Sequence, residues 1–129
     1  MARKTIDELL TEVRERIDRV SPMEAAAEMT GGALLVDIRA ESQRAADGVV
    51  PGAVYHPRNV LEWRMDPSSG HNDPAVGGIE RRVIVMCNEG YQSSLAAATL
   101  REIGFARAAD LDGGFQAWRG AGLPVEQLE

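Results

Sequence analysis

Apolar residues along this chain follow two patterns, helical spacing in some stretches and short unbroken runs in others. Ile6, Leu9, Leu10, Val13, Ile17 and Val20 recur every three or four residues, with acids and bases between them. That spacing predicts an amphipathic helix over residues 5–20, its apolar face packed on the rest of the chain; the same face could instead meet a partner or a second copy. Thr5 and Glu8 stand at capping-box spacing at its start. Ser21-Pro22-Met23-Glu24 repeats the signal, and Gly31-Gly32 ends the helix it opens. Leu34-Leu35-Val36 and Val83-Ile84-Val85-Met86 are continuously apolar. Such runs suit strands buried on both faces, as in a parallel sheet covered by helices.

The remaining segments fit between these. A strand over residues 33–38 leads to a helix over 41–46. The turn Val49-Val50-Pro51-Gly52-Ala53 opens a short strand over 53–55, and a short helix covers 59–65. Residues 66–78 hold three glycines and two prolines and read as one long, mobile loop. A helix over 93–103, a weak strand over 108–111 and a last helix over 114–120 complete the chain. Strands and helices alternating with short connections predict an α/β fold: a doubly wound parallel sheet flanked by helices. No repeat or linker divides it, so residues 1–20 are expected as a helix packed on one domain over residues 21–129.

Composition narrows the function. A chain of 129 residues and 14.0 kDa is one domain. Size scaling gives it a folded surface of roughly 6,700 Å² against roughly 20,300 Å² unfolded, enough burial for a core without staples. One cysteine excludes an internal disulfide and argues against a cysteine-cluster zinc site, and His56 and His71 are too few to suggest another metal. Fourteen basic and twenty acidic residues leave a net charge of −6 with no basic stripe, so no nucleic-acid partner is expected. No apolar run reaches the ~20 residues that span a bilayer, and the amino terminus lacks the apolar segment of a secretory signal. The expectation is a cytoplasmic protein with no membrane partner.

Ligands in open parallel sheets bind beyond the carboxyl ends of the strands. There the run Val83-Ile84-Val85-Met86 enters Cys87-Asn88-Glu89-Gly90-Tyr91-Gln92-Ser93-Ser94. A lone cysteine reads either as a small buried hydrophobe or as a nucleophile. The polar, glycine-containing loop around Cys87 points to the second. Such a loop can turn successive backbone N–H groups inward, and with a helix starting near Ser93 it favours a thiolate over a thiol. Glu89 opposes this unless its side chain points to solvent.

These pieces, with Leu35-Val36-Asp37-Ile38-Arg39, Val50-Pro51-Gly52-Ala53, Leu111-Asp112-Gly113-Gly114-Phe115-Gln116-Ala117-Trp118 and Gly122-Leu123-Pro124-Val125, resemble a single-domain rhodanese over residues 21–125. The resemblance implies a parallel sheet of about five strands and a sulfurtransferase. Cys87 would carry sulfane sulfur as a persulfide, with Asn88, Glu89, Gly90, Tyr91, Gln92 and Ser93 as the loop around it. The donor would be thiosulfate or a low-molecular-weight persulfide, and the acceptor cyanide, a thiol or a protein. No cofactor is implied. Gln92 stands where many members have arginine and Val49 where many have histidine, and the stretch between Arg39 and Gly48 is one residue longer than common. Arg58 and Arg64 either bring positive charge to the pocket rim or are solvated surface residues. Asp37 and Arg39 either touch the site or pair locally, and Trp63 and Trp118 read as packing anchors. The alternative functions are a non-enzymatic persulfide carrier or protein-interaction domain, and a phosphatase or arsenate reductase. The last class needs an arginine six residues after the cysteine, where Ser93 stands.

Overall fold

A computed structural model describes residues 2–128. Five strands form one sheet: β1 (Asp18–Val20), β2 (Leu34–Asp37), β3 (Val54–Tyr55), β4 (Val83–Met86) and β5 (Ala109–Leu111). They lie in the order β1-β5-β4-β2-β3, and every neighbouring pair is parallel. Six helices flank it: α1 (Ile6–Arg14), α2 (Pro22–Thr30), α3 (Glu41–Asp47), α4 (Leu61–Met65), α5 (Gln92–Glu102) and α6 (Gly114–Gly120). This is the α/β architecture expected from the alternation of elements. The exposed surface, 6835 Å², matches the scaling value of roughly 6,700 Å².

The unbroken apolar runs follow from a sheet covered on both faces. Successive side chains of a strand point to opposite sides. In β4, Val83 and Val85 pack with Val13 of α1, Leu61 and Met65 of α4, and Ala96, Ala97 and Leu100 of α5. Ile84 and Met86 pack on the other face with Ala25 of α2 and with Phe115 and Trp118 of α6. A single polar residue in β4 would therefore be buried on either side.

Two segments differ from expectation. The helix anticipated over residues 5–20 stops at Arg14, and Asp18–Val20 forms an edge strand, with Val20 opposite Leu111. Ile17 and Val20 are both buried, but in the clusters on opposite faces of the sheet rather than on one helix face. The edge of β5 offers hydrogen-bond partners that an isolated helix end lacks, and the Asp112 N–H donates to the Val20 carbonyl at 2.8 Å. The stretch 66–78, expected as one long loop, contains a short regular turn and several anchoring contacts. Pro74–Val76 forms a 3₁₀ turn capped by the Asp73 carboxylate, and Val76 enters the core. Asp73 also pairs with the buried His56 at 2.8 Å, and Arg81 donates to the Ala75 carbonyl. Among the described residues no helix is long and apolar enough to cross a membrane.

Candidate active site

Cys87 follows the last residue of the central strand. It continues the alternation of Val83 and Val85, so its β-carbon faces the α5 side of the core. It is 7% exposed, buried yet not sealed. It lines a cavity of about 310 Å³ together with Arg39, Ala40, Gln43, Asn88, Glu89, Tyr91 and Gln92.

The loop curls around the sulfur. The Gly90 N–H donates to Cys87 Sγ at 3.1 Å, and the Ser93 N–H at the start of α5 donates at 3.4 Å. The thiol itself donates to Ser93 Oγ at 3.3 Å. Two backbone donors on one sulfur stabilise its anion without a basic side chain. The curl depends on carbonyls being held elsewhere. The Cys87 carbonyl accepts from the Phe115 N–H at 2.9 Å, and the Asn88 carbonyl accepts from the Gln116 N–H at 3.1 Å. Among the described residues no peptide is cis, so anchoring those oxygens on α6 turns the next N–H groups away from α6. Gly90 has φ of +88°, and a Cβ there would lie 2.7 Å from the Gly113 nitrogen. Gly114 has φ of +62°, and its Cβ would lie 2.5 Å from the Cys87 carbonyl oxygen. Both positions need glycine for conformation and for space.

Beneath the loop lies a charged network. Ser93 and Ser94 hydroxyls donate to the fully buried Asp110 carboxylate at 3.2 and 2.7 Å. Arg19 pairs with Asp110 at 3.1 Å and with Asp112 at 3.1 Å. On the opposite wall Arg39 binds Asp37 through Nε at 3.0 Å and Nη2 at 2.8 Å. Both of those side chains are almost wholly buried. The Arg39 guanidinium carbon lies 3.9 Å from the centroid of the Phe115 ring. Its Nη1 is buried and has no hydrogen-bond partner, and the aromatic face provides compensation in place of one.

A rhodanese-like domain model matches residues 21–121, most of the chain. The chain belongs to the rhodanese family. It is 35% identical over 111 residues to the thiosulfate sulfurtransferase GlpE of Ectopseudomonas mendocina, covering 86% of this chain and 92% of that protein. A sulfurtransferase of Allochromatium vinosum is 33% identical over 96 residues, 74% of this chain and 80% of that one. Among solved structures, a Rhodopseudomonas palustris protein described as of unknown function and a possible tyrosine phosphatase superposes with a TM-score of 0.87. It is 32% identical and covers 98% of this chain and 97% of its own. In sequence, this rhodanese is thiosulfate sulfurtransferase-like.

The loop after β4 brings Cys87 together with Asn88, Glu89, Gly90, Tyr91, Gln92 and Ser93. Glu89, Tyr91 and Gln92 are exposed, while Ser93 is buried. Arg58 and Arg64, weighed as rim residues, do not line this cavity. Arg58 is bound to Glu62 at 2.8 Å, and Arg64 donates to the His71 carbonyl. Asp37 and Arg39 pair locally, though Arg39 also lines the cavity. Trp118 is a packing anchor, its Nε1 donating to the Pro124 carbonyl at 2.8 Å, whereas Trp63 is exposed. Gly113-Gly114 enters the sequence reading only as part of the rhodanese-like motif, and nothing in the sequence singles out Arg14, Arg19 or Asp110. An arginine at a helix end, another on an edge strand and an aspartate in a three-residue strand carry no local signal.

Proposed function

We propose that this rhodanese moves sulfane sulfur from a small donor to a thiophilic acceptor through a persulfide on Cys87. The observation that carries this reading is the pair of backbone N–H groups on Cys87 Sγ, at the wall of an open cavity. With thiosulfate, the thiolate attacks the outer sulfur. A new S–S bond forms on Cys87, the donor's own S–S bond breaks, and its electron pair leaves with sulfite. The terminal persulfide sulfur takes the negative charge, and the loop amides stabilise it. A thiol or cyanide then attacks that sulfur and restores the thiolate. Cys87 is the sole cysteine of the chain, so the acceptor is external.

Ser93 stands six residues after Cys87, where cysteine phosphatases need an arginine to clamp the oxyanion. This favours sulfur over phosphoryl chemistry. Intact-mass measurement after incubation with thiosulfate, glutathione persulfide and mercaptopyruvate tests the reading. One donor should add a single sulfur, about 32 Da, to wild type and nothing to Cys87→Ser. Turnover with cyanide or thiol then separates an enzyme from a static carrier. An equal adduct in Cys87→Ser, or none in wild type with any donor, overturns the proposal.

A further inference from the structure

Three carbonyls of the Cys87 loop are held from outside, and the third is held differently. Those of Cys87 and Asn88 rest on backbone N–H groups of α6. That of Gly90 accepts from two guanidinium groups, Arg14 Nη2 and Arg19 Nη2, both at 2.9 Å. Neither arginine belongs to the stretch matched by the family model, which begins at residue 21. Arg14 is the last residue of α1, and Arg19 is the middle residue of β1. The edge strand and its preceding helix thus reach across to the loop.

We infer that Arg14 and Arg19 are positioning residues for the sulfur-binding loop. The Gly90–Tyr91 peptide is trans, so fixing its oxygen on the arginine side fixes its N–H on the other. The same anchor holds Gly90 at its positive φ, with its own N–H on Cys87 Sγ. Arg14 Nε also donates to Ser94 Oγ at 3.0 Å, which binds Asp110, so both arginines meet the network below the sulfur. Arg19 adds a second effect. Asp110 is a buried carboxylate that accepts from Ser93, the residue on the sulfur. Its charge opposes a thiolate, and the Arg19 pair offsets it. The inference rests on the sulfur-transfer reading for its consequence in turnover, but not for its effect on the thiolate.

Arg14→Gln is the primary test because it leaves the Arg19–Asp110 pair in place. Two quantities are read: the ultraviolet thiolate absorbance of Cys87 at fixed neutral pH, and the rate and half-saturation of persulfide loading from thiosulfate. The expected result is a lower thiolate signal and a maximal loading rate down about tenfold, with half-saturation unchanged. Arg14→Lys, which keeps a charged donor, should recover most of both. Arg19→Gln should lower both further, and Arg19→Gln with Asp110→Asn should recover part of the thiolate signal. A wild-type thiolate signal and loading rate in Arg14→Gln overturn the inference. So does a loss confined to half-saturation, which would make Arg14 a substrate contact. If wild type loads no sulfur, the sulfur-transfer reading fails, and the thiolate signal alone still decides the positioning role.

Discussion

Arginines hold both ends of β4, but they hold different things. At the amino end, Arg82 donates to Glu28 and to Asp18, each at 2.7 Å, and to the Arg107 carbonyl at 3.0 Å. Arg101 adds a longer contact to Asp18 at 3.4 Å. At the carboxyl end, Arg14 and Arg19 converge on one backbone oxygen, that of Gly90. Charge meets mainly charge at one end, and charge fixes a peptide plane at the other. The amino-end cavity, lined by Glu28, Gly32 and Arg107 among others, is about 340 Å³, slightly larger than the one at Cys87. It offers no nucleophile. The difference between the two ends lies in the orientation of main-chain groups more than in cavity size or local charge, and the proposed chemistry depends on that orientation.

Substituting Gly90 should break the comparison most sharply. Gly90→Ala places a side chain where φ is positive and where the Gly113 nitrogen and Arg19 Nη2 already stand at 2.7 and 3.3 Å from the new atom. The loop must move, and the donor at 3.1 Å from the sulfur moves with it. Loss of one oriented donor costs on the order of 100-fold in comparable sites. Sulfur-transfer rate should fall by about that factor, measured beside a melting curve that shows the protein folded. Wild-type turnover in Gly90→Ala would mean that the Gly90 N–H contributes nothing.

At the other end the expected effect is on stability alone. Arg82→Ala removes four hydrogen bonds to three partners, but Asp18 regains water easily, being more than half exposed. The loss should be about 1–2 kcal/mol, read as a melting temperature a few degrees lower, with sulfur transfer per folded molecule unchanged. A variant equally stable but inactive would join the two ends functionally and undo the contrast.

Acid should separate the same two proteins. The Asp18 carboxyl is held below its ordinary value of 3.8, chiefly by the hydrogen bond from Arg82, with burial opposing. A carboxyl depressed in the folded state binds its proton more readily when unfolded. Its contribution to stability is therefore complete above that ordinary value and fades as pH falls through the lower folded one. Below about pH 3.8 the wild-type melting temperature should drop more steeply than that of Arg82→Ala, and the two curves should run parallel at neutral pH. Parallel curves throughout would show that the pair does not persist in solution.

The contrast between the ends also explains what the sequence disclosed. Buried strands announce themselves, because Val83-Ile84-Val85-Met86 must be apolar on both faces. The strand-to-helix crossing that carries Cys87 follows from the next few residues. Edge strand β1 did not announce itself, since Ile17 and Val20 stand at helical spacing, whereas in the fold they enter the apolar clusters on opposite faces of the sheet. The supports of the loop were hidden for a further reason. Arg14 lies 76 residues from Gly90 in sequence, and Asp110 lies 16 from Ser94. Such contacts depend on the packing of α1 and β1 against α5 and β5, which no local pattern encodes. Arg58 and Arg64, considered for the rim because they follow β3, are engaged instead by Glu62 and the His71 carbonyl.

Glu89 gives the smallest effect. Its side chain is exposed, yet the residue lines the Cys87 cavity, where the described lining includes one cation, Arg39, already paired with Asp37. An anionic donor approaching the sulfur therefore meets the Glu89 charge, which a neutral donor does not feel. Glu89→Gln should raise loading from thiosulfate about twofold at low salt, in keeping with the few tenths of a kcal/mol that an exposed charge contributes. The gain should shrink as salt screens it. A neutral organic persulfide donor should show no gain. An equal gain for both donors would trace the effect to the thiolate rather than to the incoming anion. It would then place Glu89 among the groups that act on Cys87 itself, alongside Asp110.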